Sequence, residues 1–203
     1  MKKFGILFLA ALVVLLFASC DNSSKEPGED AILNITAFTD ENYKVMTDEY
    51  YRGGSGDSRT ITGGKLDLAS GGLGFYFGTA DAITFKVNGK TYTENYKNVV
   101  KAGDKYEMTV TISGYEGLAI GGNAFSSEST VTPDAKGLIT GLNGDNKTFS
   151  VLMTVLDNGV SYAIGEDVKT ITVENLKENE EVRYGFTFWA KKGMVESVKI
   201  VKK

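Results

Sequence analysis

The sequence predicts an all-β protein that folds as an antiparallel β-sandwich. Between residues 105 and 112, Tyr106, Met108, Val110 and Ile112 alternate with polar residues. Such a period of two is typical of a strand with one face in a core and the other in water. The 24 glycines and 2 prolines suit tight turns between short strands. We predict two small sandwiches, at residues 31–122 and 123–203, with one continuous sandwich as the alternative.

Further strands are expected wherever short apolar runs alternate between turn residues. An Asn-Gly pair at 88–89 predicts a type I′ hairpin in which Phe85 faces Tyr92. The remaining expected strands are 31–38, 42–47, 59–62, 65–68, 73–77, 168–173, 182–190 and 195–200. In the strand at 182–190, the alternation places Phe186 in the core and turns Arg183, Thr187 and Trp189 towards water.

The segment from 113 to 147 is weakly patterned, and only short strands are expected there, around 118–120 and 138–140. The run 143–146 reads as a plain turn, because it lacks the spaced carboxylates of a calcium loop. After it, an Asn-Gly pair at 158–159 predicts a second hairpin, which places Val155 opposite Tyr162.

The composition argues against catalysis. The chain has no His, which removes Ser-His-Asp sites and most catalytic zinc sites. The densest acidic cluster, Glu178, Glu180 and Glu181, reads as a solvated turn and not as the carboxylate pair of a glycoside hydrolase. We therefore expect no enzymatic activity, no cofactor and no metal site.

The charge of the chain points away from polyanionic partners. The formal net charge is -4, and removal of a leader containing Lys2 and Lys3 would make it -6. A mildly acidic surface does not favour nucleic acid or an anionic membrane surface as a partner.

The N-terminus predicts export. Residues 1–19 read as a signal peptide, because two lysines precede an apolar run at 6–17 that is shorter than the ~20 residues of a spanning helix. The run ends Phe17-Ala18-Ser19-Cys20, which resembles a bacterial lipoprotein lipobox, with Phe17 where an aliphatic residue is usual. The resemblance implies that Cys20 is lipidated and anchors the protein in a membrane, at the outer membrane or the cell surface.

Other interpretations of this N-terminal segment remain open. An ordinary secretory peptide with an incidental Cys20 is the alternative to lipidation. Residues 20–30 carry no large apolar side chain and read as a flexible tether between the anchor and the domain.

The segment 82–120 carries a second resemblance. A Gly-containing turn at 101–104 precedes Tyr106, a Thr-rich strand and the step Gly117-Leu118-Ala119-Ile120. This pattern resembles that of fimbrillin-like surface lipoproteins. The resemblance implies a transthyretin-like sandwich, anchorage at the cell surface, and a pilus-subunit or adhesive role.

In some such pilins a protease cuts at an arginine and removes the first strand, so that a neighbour's strand fills the groove. Arg52 and Arg59 lie in a Gly/Ser-rich loop where such a cut would fall, and the alternative is two solvated loop arginines. An immunoglobulin-like sandwich is a rival fold, because 100–106 and 176–182 share the spacing of a tyrosine-corner turn.

Two functions follow from these features. The first is a lipid-anchored structural or adhesive surface protein, possessing self-assembly contacts or a partner on another surface. The second is a carbohydrate-binding module, in which Trp189, Tyr50, Tyr51 and Tyr96 supply stacking surfaces. Burial of Trp189 under a loop or a second sheet is the alternative to its exposure.

Overall fold

A computed structural model describes residues 31–49, 60–68, 72–87, 90–126, 137–172 and 181–203. Within these ranges the chain forms strands and a single helix. In chain order they are β1 (Ala31–Ile35), α1 (Asp40–Glu49), β2 (Ile61–Thr62), β3 (Lys65–Asp67), β4 (Leu73–Gly78), β5 (Ala82–Val87), β6 (Lys90–Asn95), β7 (Lys105–Ser126), β8 (Leu138–Leu156), β9 (Gly159–Ile164), β10 (Asp167–Thr172), β11 (Val182–Trp189) and β12 (Lys192–Lys202).

The strands pair antiparallel, which confirms the predicted all-β antiparallel architecture. One sheet runs in the order β10-β9-β8-β7-β12-β3-β2, with β1 also paired to β12. Strand β11 pairs with both β7 and β4, and β5 and β6 form a separate hairpin.

Strand β7 belongs to both layers of the sandwich. Its N-terminal half pairs with β12, and its C-terminal half pairs with β11. Between the halves, the register with β8 shifts twice from Tyr115 to Ile120, and Gly114 and Gly117 have φ of 56° and 60°. Bulges and positive-φ glycines bend a strand, so β7 can turn from one layer into the other.

The two layers pack face to face through aromatic rings. We call β12, the N-terminal half of β7, the C-terminal half of β8, and β9 the first layer; β4, β11 and the C-terminal half of β7 form the second layer. The rings of Phe77 and Tyr106 lie 4.7 Å apart between centroids, and those of Tyr162 and Phe186 lie 6.3 Å apart. The two members of each pair come from different layers, so the core lies between them.

The position proposed as a domain boundary lies inside a strand. Gly122 is an interior residue of β7, and one buried cluster contains residues from both sides of it, including Leu33, Phe75 and Phe186. The segment 113–147 was expected to hold only short strands, but its described parts belong to two long ones, 113–126 to β7 and 138–147 to β8. The predicted turn at 143–146 is part of β8. Bulges and glycines in this segment interrupt the period-two alternation from which the two long strands could have been predicted.

The two predicted hairpins differ in outcome. In β5–β6, Phe85 pairs with Tyr92 as predicted. In β8–β9, Tyr162 pairs with Met153 and not with Val155, because the turn is at 157–158. Gly159 is instead the first residue of β9, where an added Cβ would lie 2.1 Å from the Ile171 carbonyl oxygen. The glycine is needed for close approach of β10, not for the turn.

The strand predicted at 42–47 is wrong, because this segment lies in helix α1. The helix begins with a reciprocal cap, in which Asn42 N–H donates to Thr39 Oγ1 and Thr39 N–H donates to Asn42 Oδ1 at 2.9 Å. The carboxylates of Asp40 and Glu41, in its first turn, interact favourably with the positive end of the helix dipole. Met46 is fully buried and fixes the helix to the core.

Tyr162 connects the two layers through the backbone. Its ring occupies the space that a side chain at Gly122 would need, since a Cβ there would lie 2.0 Å from the ring. The Tyr162 hydroxyl lies 2.8 Å from the carbonyl oxygens of Asn123 and Gly185, to which it can donate, and it accepts from Gly185 N–H at 3.3 Å. Burial raises the pKa of this phenol well above 10, so it stays protonated and able to donate.

Replacing Tyr162 with Phe should lower the free energy of unfolding by about 1–3 kcal/mol, because it removes the partner of buried backbone groups. Chemical denaturation measures the loss. Tyr184→Phe is the matched control, since Tyr184 is also buried in the core but, among the described residues, no hydrogen bond joins its hydroxyl to the opposite layer. Equal losses in the two variants would contradict this role of the Tyr162 hydroxyl.

The Gly-containing turn at 101–104 is fixed by its aspartate. Asp104 Oδ2 accepts from Lys101 N–H at 3.0 Å, and Oδ1 lies 3.0 Å from Lys202 Nζ on β12. Gly103, with φ of 90°, supplies the left-handed residue of the turn. Partial burial opposes ionisation, but the hydrogen bond from Lys101 and the charge of Lys202 hold the pKa of Asp104 below its ordinary value of 3.8.

Asp104→Asn should lower the free energy of unfolding at pH 7 by about 0.5–1 kcal/mol. Because the folded-state pKa is the lower one, the carboxylate stabilises the fold above about pH 4 and loses this effect as the pH falls through the folded value. Denaturation curves from pH 7 to pH 2 should therefore converge for the two proteins, and Lys202→Gln should reproduce part of the loss. A difference that persists at pH 2 would contradict the ion pair as its cause.

Candidate binding face of the second layer

The outer face of the second layer is the side of β4, β11 and β7 that points away from the core. By strand alternation and contact, it carries a set of aromatic and polar side chains: Tyr76, Asn123, Phe125, Arg183, Thr187 and Trp189. The prediction that Arg183 and Thr187 face water is wrong, because each is only 8% exposed. Strand β11 lies between two neighbouring strands and is covered on both faces, whereas period-two alternation of apolar residues indicates burial of one face only.

Two glycines allow the ring of Tyr76 to lie flat against this face. A Cβ at Gly185 would be 2.2 Å from Tyr76 Cδ1, and a Cβ at Gly74 would be 2.6 Å from the Tyr76 hydroxyl oxygen. The Tyr76 ring therefore covers both positions, and its hydroxyl accepts from Asn123 Nδ2 at 3.3 Å. The other end of that amide, Asn123 Oδ1, is buried and has no hydrogen-bond partner within the described part of the chain.

Arg183 is enclosed by two rings and a carboxylate. Its Cζ lies 4.3 Å from the ring centroid of Tyr76 and 4.3 Å from that of Phe125. Its Nη1 donates to Glu94 Oε1 at 2.9 Å and to Oε2 at 2.8 Å. The guanidinium thus combines cation–π stacking on its faces with an ion pair at its edge.

Glu94 reaches Arg183 from the β5–β6 hairpin, which covers this end of the outer face. Ile83 and Tyr96 of the hairpin segment pack with Tyr76 in a small buried cluster of their own. Tyr96 lies against Gly78, where a Cβ would be 2.5 Å from its ring, and its hydroxyl donates to Glu94 Oε2 at 2.5 Å. Burial, together with the hydrogen bond to Glu94, raises the pKa of Tyr96 far above 10.

Tyr96 was expected to offer a stacking surface, and the structure corrects this. The side chain is buried, with its ring against the second layer and its hydroxyl on Glu94. A residue already packed on both its ring and its hydroxyl does not present a free ring to a ligand. Tyr96 instead attaches the hairpin to the sandwich.

Trp189 is the exposed aromatic side chain of this face. Trp189 is 41% exposed and therefore open to solvent. Trp189 pairs with Ala119 across the strands, and Gly72 lies beside it, where a Cβ would be 3.1 Å from Trp189 Cβ. Small neighbours leave the ring accessible at the end of a strand that is otherwise buried.

The other residues predicted to be functional lie outside the described residues. They are Cys20, Tyr50, Tyr51, Arg52 and Arg59.

The buried group of Arg183, Glu94 and Asn123 was not predicted. The sequence signal that points towards it is Gly185, because a glycine inside an apolar strand indicates that another group approaches closely.

No helix in the described ranges has the length and apolar character needed to cross a membrane. Among those same residues, no group of three or more carboxylate or thiol side chains is placed to hold a metal ion.

Comparison with known proteins gives similarity of fold only. No protein-family model matches this chain, and a comparison with curated proteins finds no match. Among solved structures, the chain is similar to the potassium-bound carbohydrate recognition domain of Emp46p, with 12% identity, a TM-score of 0.39, and coverage of 84% of this chain and 95% of that one.

It is also similar to a Bacillus subtilis protein of unknown function with a galectin-like fold. That match has 11% identity and a TM-score of 0.42, and it covers 84% of this chain and 95% of that one. A third match is a GlcNAcα1-4Gal releasing endo-β-galactosidase from Clostridium perfringens, with 8% identity, a TM-score of 0.41, and coverage of 88% and 63%. With TM-scores below 0.5, these similarities carry no conclusion about ligands or activity. A transthyretin-like or immunoglobulin-like subtype stays a prediction.

Proposed function

We propose that this protein is a surface lipoprotein whose second layer binds saccharides, with Trp189 as the stacking platform. The observation that carries the proposal is the exposed indole on β11, at the edge of a face whose other aromatic side chains are packed. The C–H face of a sugar ring packs against an indole, while its hydroxyl groups bond to polar groups beside it. The backbone of β11 is fixed by two strand neighbours, so the platform is held rigidly.

The anchor is part of the same proposal. Lipidation of Cys20, followed by a tether at 20–30, would hold the sandwich outside the bilayer at the outer membrane or cell surface. Each buried methylene contributes about 0.8 kcal/mol, so several acyl chains give stable attachment. A lectin tethered in this way gains avidity when many copies face a glycan-bearing surface.

Trp189→Ala should weaken saccharide binding at least about tenfold, because a stacked, partly desolvated aromatic contact is worth more than 1 kcal/mol. A glycan array screened with the protein starting at residue 21 identifies the ligand, and titration calorimetry measures the change. Val168→Ala is the matched control, because Val168 is an exposed apolar residue on β10, at the far edge of the main sheet.

The free energy of unfolding should change by less than about 0.5 kcal/mol in both variants. Absence of glycan binding by the unmodified protein, or equal affinities of Trp189→Ala and Val168→Ala, would remove the proposed function.

A specific observation favours assembly by strand exchange as a second candidate function. Strand β1 lies at an edge of the sheet, where it pairs with β12 through residues 31–35, yet Leu33 and Ile35 are buried in the core. An edge strand that supplies core residues can be replaced by the same kind of strand from another molecule. A cut at Arg52 or Arg59 would separate β1 from the rest of the chain.

Deletion of residues 31–47 should lower stability by several kcal/mol, because Leu33, Ile35, Phe38 and Met46 leave cavities in the core. If β1 is exchangeable, a synthetic peptide of residues 31–47 added in trans should restore the melting temperature. A peptide with Leu33 and Ile35 replaced by Asp is the control. Failure of the native peptide to bind, with oligomers of the full chain unaffected by the deletion, would exclude strand exchange.

A further inference from the structure

We propose that Arg183 is the centre of a carboxylate-binding site in the second layer, and that Glu94 occupies this site in the unliganded protein. The ligand class is an acidic saccharide, whose carboxylate would replace that of Glu94. This inference rests on the proposed saccharide function, and it specifies the chemistry of the ligand. It is argued from the surroundings of Arg183, from Asn123, and from the way in which Glu94 is delivered.

The surroundings of Arg183 resemble a recognition site more than a surface ion pair. The rings of Tyr76 and Phe125 each lie 4.3 Å from Cζ, so stacking holds the guanidinium in place. A planar guanidinium held in this way offers its N–H groups along the edge, in the geometry that suits a carboxylate. The carboxylate now at that edge belongs to Glu94, whose two oxygens both lie within 2.9 Å of Nη1.

Stability alone does not explain this ion pair. Burying two charges costs desolvation energy, and a buried pair is often no more stabilising than apolar side chains of the same size. The hairpin already has an apolar attachment, because Ile83 and Tyr96 pack with Tyr76 beside the ion pair. A larger apolar contact at this place would hold the hairpin equally well, whereas only the guanidinium can recognise an anion.

Asn123 provides a second group on the same face. The residue is 7% exposed, and its Oδ1 has no hydrogen-bond partner within the described part of the chain. Asn123 pairs with Gly185, two residues along β11 from Arg183, so both side chains lie on the outer face as diagonal neighbours. A buried acceptor without a donor is uncommon in native proteins. An acidic sugar carries a carboxylate and hydroxyl donors on one ring, which would match Arg183 and Asn123 together.

The position of Glu94 on a separate hairpin would allow a ligand to displace it from Arg183. It lies on β6, and the β5–β6 pair forms its own two-stranded sheet outside the main one. At its base the hairpin is attached by Val100 N–H to the Gly78 carbonyl and by Thr79 N–H to the Val182 carbonyl, both at 2.9 Å. An isolated two-stranded hairpin is only marginally stable, so its position depends on contacts such as the Glu94–Arg183 pair. A ligand carboxylate that replaced Glu94 would take over its hydrogen bonds from Arg183 and from the Tyr96 hydroxyl.

The test compares acidic saccharides with their neutral counterparts. The probes are tetrasaccharides of galacturonate, glucuronate, mannuronate and guluronate, each as the free acid and as the methyl ester, titrated into the protein by calorimetry. The unmodified protein should bind at least one acid about tenfold or more tightly than its ester, because a charge-assisted hydrogen bond is worth more than 1.4 kcal/mol. The preference should decrease as salt is added.

Variants separate the two roles. Glu94→Gln removes the competing carboxylate, so it should raise affinity for the acid by about three- to tenfold and leave affinity for the ester unchanged. Arg183→Gln should abolish the preference for the acid. Glu196→Gln is the matched control, since it removes a carboxylate of β12 that is paired with Lys65 of β3. Trp189→Ala should weaken both probes equally.

Weaker acid binding by Glu94→Gln, or equal binding of acid and ester by the unmodified protein, would overturn this inference. In that case, Trp189-dependent binding of neutral glycans would leave the proposed function standing, whereas absence of all glycan binding would remove the function itself. If Arg183→Gln does not fold, Arg183→Lys replaces it: this variant keeps the charge but loses the fork, and it should reduce the ratio of acid to ester affinity. An unchanged ratio in Arg183→Lys would also count against the site.

Discussion

The distance between the two layers depends on the insertion of Tyr162 against the backbone of the second layer. The ring fits because residue 122 has no side chain, and the hydroxyl bonds to carbonyl oxygens at 123 and 185. An aromatic side chain whose hydroxyl bonds to the backbone of the opposite sheet fixes both the separation and the register of the two sheets. Neither sheet can shift without breaking a buried hydrogen bond. The strands β7 and β11 are thereby held in place, and they carry the outer face on their other side.

The central position of β11 explains the character of that face. A strand between two neighbours, with a core beneath it and a hairpin above it, is buried on both sides, so any polar residue on it must be compensated locally. Arg183 is compensated by two rings and by Glu94, and Thr187 by the Leu73 carbonyl, to which its hydroxyl donates. Only at the end of the strand, at Trp189, does the face open to solvent. The enclosed guanidinium of Arg183 and the exposed indole of Trp189 therefore lie along one strand, near its opposite ends.

Part of this arrangement can be predicted from the sequence, where the physical cause is local. Period-two alternation gave the buried face of β7, and an Asn-Gly turn gave the register of β5–β6, because both depend on neighbouring residues. Helix α1 was missed, since its cap at Thr39 and Asn42 is short and its apolar positions also fit a strand. The Arg183–Glu94 pair joins residues 89 positions apart, and no local pattern indicates such a contact. The cover on Arg183 likewise depends on where the hairpin folds back.

The sequence contains a single tryptophan, and it is the exposed indole at the end of β11. The tryptophan fluorescence of the protein therefore originates from one known location, and a solvated indole emits at longer wavelength than a covered one. This side chain is an intrinsic optical reporter on the outer face, which needs no label and no added probe. Binding of a molecule that covers this indole would shift the tryptophan emission to shorter wavelength.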